Sequence, residues 1–305
     1  MKSTARVVVI GGGVVGASVL YHLTKRGWTD VVLLERKQLT AGSTWHAAGG
    51  MHTLNGDPNV ARLQQYTVNL YKEIEAESGQ NCSIHLPGGL MLADTPERLD
   101  WLRMARARGR YLGMHMELIS MQESKQLNPL MEEHYFVGAL YDPDEGSVDP
   151  YGVTHAYAIC ARNRGAEVYT DTWVTGLSQR ADGTWDVRTE GEHTIHAEHV
   201  VNCGGLWARE VGRLVGLEPP VLAMEHHYLV TEPMQEVIDF NQATGHELPH
   251  MIDFAGEIYA RQEGQSILLG TYEQNNRPWS PNETPWDFVF QLLDHDLDRI
   301  APELQ

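Results

Sequence analysis

Residues Arg6–Gly16 read RVVVIGGGVVG, and Ala17–Arg26 continue as ASVLYHLTKR before Gly27. The run Arg6–Ile10 is short, apolar and rich in β-branched side chains, the pattern of a parallel strand buried on both faces. Gly11, Gly13 and Gly16 then form G-x-G-x-x-G: a tight turn, a close approach of backbone to a pyrophosphate, and close packing of helix on strand. The helix that follows presents unpaired N–H groups at the positive end of its dipole, where a pyrophosphate binds. A second apolar strand, Val31–Leu34, stops at Glu35, where the ribose-binding carboxylate belongs. An acid there favours a free ribose diol. Strand, glycines, helix, strand and acid in register predict a Rossmann-type dinucleotide site, and they leave NAD and FAD equally open.

Beyond this unit the composition is that of an ordinary globular protein: 305 residues, 42% hydrophobic and 21% charged. A net charge of -18 disfavours nucleic acid and anionic membrane surfaces as partners. Cys82, Cys160 and Cys203 are widely spaced, which suggests neither a disulfide framework nor a metal site and fits a reducing cytoplasm. The glycine turn interrupts the first apolar run, so a signal peptide is not expected, and the early start of the first strand leaves no room for a transit peptide. No apolar stretch is long enough to span a membrane.

Along the chain, Val60, Leu63, Tyr66, Leu70 and Ile74 recur at helical spacing and predict an amphipathic helix over 57–77. Ile84–Leu92 reads as a hairpin, Thr95-Pro96-Glu97 as the start of a helix over 98–111, and Tyr141–Tyr151 as a loop between units. A helix over 153–164 and a hairpin of 174–177 with 185–188, closed by Asp182-Gly183, follow. His199–Asn202 then leads into Cys203-Gly204-Gly205, a second strand-then-glycine turn. Two such turns suit one long ligand. From Val221 the chain reads as strands without intervening helices, predicting an antiparallel layer. There Tyr259 and Arg261 share one face, and His226 shares a face with Met224 and Tyr228. The spacing of Phe288, Leu292, Leu293, Leu297 and Ile300 predicts a last helix.

Several stretches together, among them LLERKQLTAGSTWHAAG, ALYDPDEGSVDPYGVTHA, VVNCGGLWAREVG, EHHYLVTE, YARQEG and LLGTYE, resemble the FAD-dependent dimethylglycine and sarcosine dehydrogenase family, within the D-amino acid oxidase superfamily. The resemblance runs across nearly the whole chain. It implies a Rossmann-type FAD-binding domain (1–84 and 151–220) with an antiparallel-sheet substrate domain (85–150 and 221–305). It implies FAD bonded through His46 of STWHAAG, with further contacts from Gly11, Gly13, Gly16, Glu35, Arg36, Ser43, Thr44, Val174, Gly204 and Gly205. His226 and Tyr259 are the implied catalytic pair, with His227 the alternative should the register differ, and Arg261 is our candidate for the substrate carboxylate. The implied reaction is oxidative demethylation of an N-methylated amino acid. Dimethylglycine, sarcosine and related amines stay open as substrates, as does a non-catalytic regulatory branch of the family. An electron-transfer flavoprotein or oxygen would reoxidise the flavin. The family continues past this chain's end with a segment that completes the FAD site and, in many members, a tetrahydrofolate-binding domain, so the 305 residues read as the N-terminal portion of a longer protein.

Overall fold

A computed structural model describes residues 1–304. Its nucleotide sheet has six strands in the order Glu167–Tyr169, Val31–Leu34, Thr4–Ile10, Thr194–Asn202, Trp185–Thr189, Val174–Gln179. The first four are parallel; the last two return as an antiparallel meander. One face of its centre, with Val7, Val9, Val31 and Leu33, packs on Leu20, Ala158 and Ala161 of two helices, Val14–Lys25 and Pro150–Asn163. The opposite face, with Val8, Ile10, Val32 and Leu34, packs on Val174, Val187, Ile195 and Val211. Burial on both faces is why these strands read as continuous apolar runs.

Three helices begin in the same way. Asp57, Thr95 and Asp149 are N-caps whose side chains accept hydrogen bonds from the first turn, and each is followed by proline, whose missing N–H costs nothing at that position. Pro58–Ser78 ends at Gly79, which takes the left-handed conformation. The buried side of this helix is Ala61, Val68, Leu70 and Ile74; the expected stripe members Val60, Leu63 and Tyr66 are exposed.

The second sheet has seven strands in the order Tyr228–Val230, Ser266–Thr271, Ile258–Glu263, His250–Asp253, Gly89–Ala93, Gly138–Asp142, Glu117–Ile119. All neighbours are antiparallel except His250–Asp253 beside Gly89–Ala93, which run parallel and join two distant parts of the chain. Ile84–Leu92 is therefore not a hairpin. Every residue of Gly89–Ala93 is buried, and the preceding His85 pairs with Ser147 instead of folding back on its own continuation. Within 221–232 the strand breaks: Ala223–Met224 pair with Pro278–Trp279, Tyr228–Val230 join the large sheet, and Glu225–His227 belong to neither. A helix that the strand pattern concealed, Gln235–Thr244, lies between them and the next strand. Among the described residues at the end, only Leu297–Ile300 is α-helical. The stretch before it is irregular because its aromatic residues are drawn to separate partners: the Phe288 ring is 4.4 Å from Trp279, and Phe290 is 5.8 Å from Trp45.

Candidate cofactor and substrate site

The glycine turn is held by steric necessity. Gly11 has φ of +112°, and a Cβ there would lie 2.3 Å from the Cys203 carbonyl oxygen; a Cβ on Gly16 would lie 1.9 Å from the Gly11 oxygen. Gly16 thus seats the helix against the turn and does not itself line the cleft in front of it. Gly13 is the N-cap of Val14–Lys25 and brings no capping side chain. Val14 N donates to Thr44 Oγ1 at 3.0 Å, and Gly12 N donates to Glu35 Oε2 at 2.6 Å. The cleft, of about 460 Å³, brings together Gly11, Gly13, Glu35 and Arg36 from the first unit with Ser43 and Thr44. Val174, Gly204 and Gly205 close it from the other strand ends.

Two tryptophans overlooked in the sequence shape the cleft as well. The Arg36 guanidinium lies 4.6 Å from the Trp207 ring centroid and 5.4 Å from that of Trp286, and it donates to the Trp286 carbonyl. Trp207 Nε1 donates to Pro285 O at 2.9 Å, so the 284–286 segment is strapped to the second glycine turn. Trp207 belongs to the distinctive GLWAREVG stretch; nothing local marked Trp286.

His46 sits on the turn that follows the cleft. Its ring is 4.3 Å from Trp45 and 6.3 Å from Phe288, and it does not line the cleft, although Thr44 and Ala47 on either side do. Its Nε2 is buried without a hydrogen-bond partner, and burial holds the imidazole below the usual histidine pKa despite a contact with the Gln291 backbone. A neutral imidazole with an unshared nitrogen is the form that can bond to carbon.

The same turn reaches the second sheet. Ala48 and Arg261 line a cavity of about 240 Å³, with Tyr259, Tyr272, His52 and His250 on its walls, and Arg261 Nε donates to Ala48 O at 2.9 Å. Arg261 also pairs with Glu263 at 2.6 Å. Cross-strand register puts Tyr259 directly beside Gly270. A Cβ on Gly270 would lie 2.1 Å from Tyr259 Cζ, so the phenol ring lies over the bare backbone. Burial, with smaller effects of Tyr272 and Tyr228, pushes the Tyr259 hydroxyl up to about 12. His226 does not line this cavity. It is half-exposed, 3.9 Å from the buried Glu273, and its ring is 5.7 Å from Tyr272, which is in turn 5.4 Å from Tyr259. Tyr272 therefore touches both expected residues, and it stood unused in LLGTYE. His227 instead faces Arg299 and Asp296.

The family model "FAD dependent oxidoreductase" matches residues 6–304. The chain belongs to the FAD-dependent oxidoreductase family. Among curated relatives, human dimethylglycine dehydrogenase is 40% identical over 309 residues, which are 100% of this chain and 35% of the relative; human sarcosine dehydrogenase is 37% identical over 310 residues, 100% and 33%. The chain thus spans about a third of the length of these family members. The L-proline dehydrogenase of P. horikoshii shares the family fold, with a TM-score of 0.82 at 24% identity over 100% of this chain and 77% of that one. Both human relatives are mitochondrial proteins, which overturns the cytoplasmic placement expected from the cysteines. Cys82, Cys160 and Cys203 are unpaired, which names no compartment.

The residues present fit the family's cofactor. A helix N-terminus without a capping side chain, a carboxylate at the end of the second strand and a second glycine turn opposite the first are the donors and openings that a flavin dinucleotide needs. Among the described residues no helix is long and apolar enough to cross a membrane, and no group of three or more His, Cys, Asp or Glu side chains could hold a metal.

Proposed function

We propose that this chain is the FAD and substrate portion of an enzyme that oxidatively demethylates an N-methylated amino acid of the dimethylglycine or sarcosine type. The observation that carries this reading is the single turn Thr44–Ala48, which walls the dinucleotide cleft through Ala47 and the Tyr259 cavity through Ala48. A redox ring bound in the cleft would meet a small substrate across that wall. The division into 1–84 with 151–220 and 85–150 with 221–305 is proposed with it, supported by the membership of the two large sheets.

FAD, bonded through His46 in this proposal, supplies a hydride acceptor for the N-methyl carbon. The chain's own residues present the amine. Tyr259 keeps its proton at neutral pH and serves as a hydrogen-bond donor toward the substrate. Arg261 is the proposed carboxylate partner, sharing one of its nitrogens with Glu263. His226, with Tyr272 between it and Tyr259, takes part from the edge of the site. Gly11, Gly13, Glu35, Arg36, Ser43, Thr44, Val174, Gly204 and Gly205 hold the cofactor, and Gly16 shapes their turn. The amine must arrive unprotonated for its lone pair to support the developing iminium. An electron-transfer flavoprotein or oxygen as electron acceptor, and tetrahydrofolate as an acceptor of the released carbon, complete the proposal.

The test uses the full-length protein. After acid denaturation, flavin absorbance should stay with the polypeptide; free flavin from loaded wild-type protein would remove the His46 bond from the proposal. Anaerobic dimethylglycine or sarcosine should bleach the native flavin. If neither does, the substrate class is wrong.

A further inference from the structure

The mechanism above leaves a buried acid beside the substrate cavity without a task. Glu145 is 1% exposed, and its carboxylate lies over Gly89, where a Cβ would be 1.8 Å from Oε2. Its Oε1 is 3.1 Å from Nδ1 of His52, whose ring is 32% exposed and lines the same cavity as Tyr259 and Arg261. Gly89 pairs with His250 on one side and Asp142 on the other, so register brings these groups to one face of the sheet. A charge in so buried a place is kept only when paired. Nδ1 thus faces Glu145 in a charge contact without the alignment of a full hydrogen bond, neither group has another partner, and Nε2 lies 3.6 Å from where a Cβ on Gly50 of the cavity wall would be. An acid holding Nδ1 fixes the tautomer in which Nε2 is the base, the logic of a carboxylate–histidine pair.

We propose that His52 accepts the proton of the substrate amine and that Glu145 is its positioning residue. This rests on the functional reading above. In the step, the ammonium N–H bond breaks, its electron pair stays on nitrogen, and the proton forms an N–H bond at His52 Nε2; no redox partner is involved. Tyr259 is less suited to this task, since its hydroxyl holds its own proton to about 12. Burial alone would lower the His52 pKa, but the contact with Glu145 and the charges of Glu145 and Asp142 outweigh it and hold the ring above the usual histidine value. The other titratable groups facing it are His250, which burial keeps neutral, Arg261, and the neutral phenols Tyr259 and Tyr272. Arg108, Asp253 and Glu257 share a second cavity with it on the side of the helix Pro96–Tyr111.

The test is the anaerobic rate of flavin bleaching by dimethylglycine against pH, in the full-length holoenzyme. His52→Gln should slow bleaching at neutral pH by about 100-fold, the lower range for loss of a general base, and abolish the acid limb of the profile. Glu145→Gln should keep the limb and move it to lower pH, a shift that loss of packing alone does not produce. Unchanged rates in His52→Gln, or a limb that Glu145→Gln leaves in place, overturn the proposal while the functional reading stands. A wild-type flavin that neither dimethylglycine nor sarcosine bleaches overturns both. Histidine hydrogen–deuterium exchange read by mass spectrometry needs no turnover and no variant: His52 should titrate above the ordinary histidine range, and an ordinary value overturns the proposal.

Discussion

Tyr259 and Glu145 each occupy room that exists because the neighbouring residue has no side chain. Gly270→Ala should push the Tyr259 ring off its strand and destabilise the fold by about 1–3 kcal/mol, the usual range for overpacking, seen as a lower Tm. Bleaching by substrate should slow in the same variant while bound flavin is retained; unchanged bleaching would mean that the ring's placement is immaterial to the site. Gly16→Ala is the harsher change. Its methyl would meet backbone, the Gly11 oxygen, which cannot rotate away, so flavin content on purification should fall sharply. These two glycines differ in how far the sequence discloses them. Gly16 stands in a spaced motif whose physics is local. Gly270 and Gly89 are explained by neighbours across the sheet, and no window of sequence contains both partners.

A helix start is readable for a similar reason where an N-cap precedes proline, as at Thr95-Pro96; the same signal at Asp149-Pro150 lay within a stretch read as a loop, and the helix there begins at Pro150, three residues before the expected 153. Asp57→Ala should cost about 1 kcal/mol through loss of the bonds from Asn59 N and Val60 N, measurable as a lower Tm without loss of flavin. Which face a helix buries was less readable. Pro58–Ser78 buries Ala61 together with Val68, Leu70 and Ile74 and leaves Leu63 out, since the buried side is set by the elements packed against it and not by the apolar spacing alone. Strands failed where pairing is distant. Gly89–Ala93 resembled half of a hairpin, yet its partners are Gly138–Asp142 and His250–Asp253. The 286–296 stretch failed for the opposite reason, since its apolar spacing suits a helix while Phe288 and Phe290 follow separate aromatic partners. Of the candidate site, the cofactor motif was visible because it is contiguous; Trp286, Tyr272, His52 and Glu145 were not, because only the folded sheets bring them to it.

At the scale of the molecule, the buried polar cluster sets the response to acid. Burial, with the charges of His52 and Arg261, pushes His250 down to about 3, whereas in the unfolded chain it titrates near 6.5. Between those values the unfolded state binds the extra proton, so this group's contribution to stability is lost as pH falls through that window. Burial pushes Asp142 the other way, up to about 6 from 3.8, and it favours the native state as pH falls between those values. His250 works against Asp142 and against His52, whose raised pKa also favours the native state in acid, so on acidification from pH 7 to 5 His250→Gln should lose less Tm than the wild type. A profile equally steep in the variant would assign the acid sensitivity elsewhere. The parallel pairing of Gly89–Ala93 with His250–Asp253 also has a consequence for biogenesis. In a chain emerging from the ribosome, Gly89–Ala93 can pair early with Gly138–Asp142, but its other edge stays open until His250–Asp253 is translated, and Thr4–Ile10, beside Val31–Leu34, likewise holds one edge open for Thr194–Asn202. In that interval an open apolar edge invites aggregation, so early release of the nascent chain should be far more damaging before residue 250 than after 271, where the last strand of the seven ends.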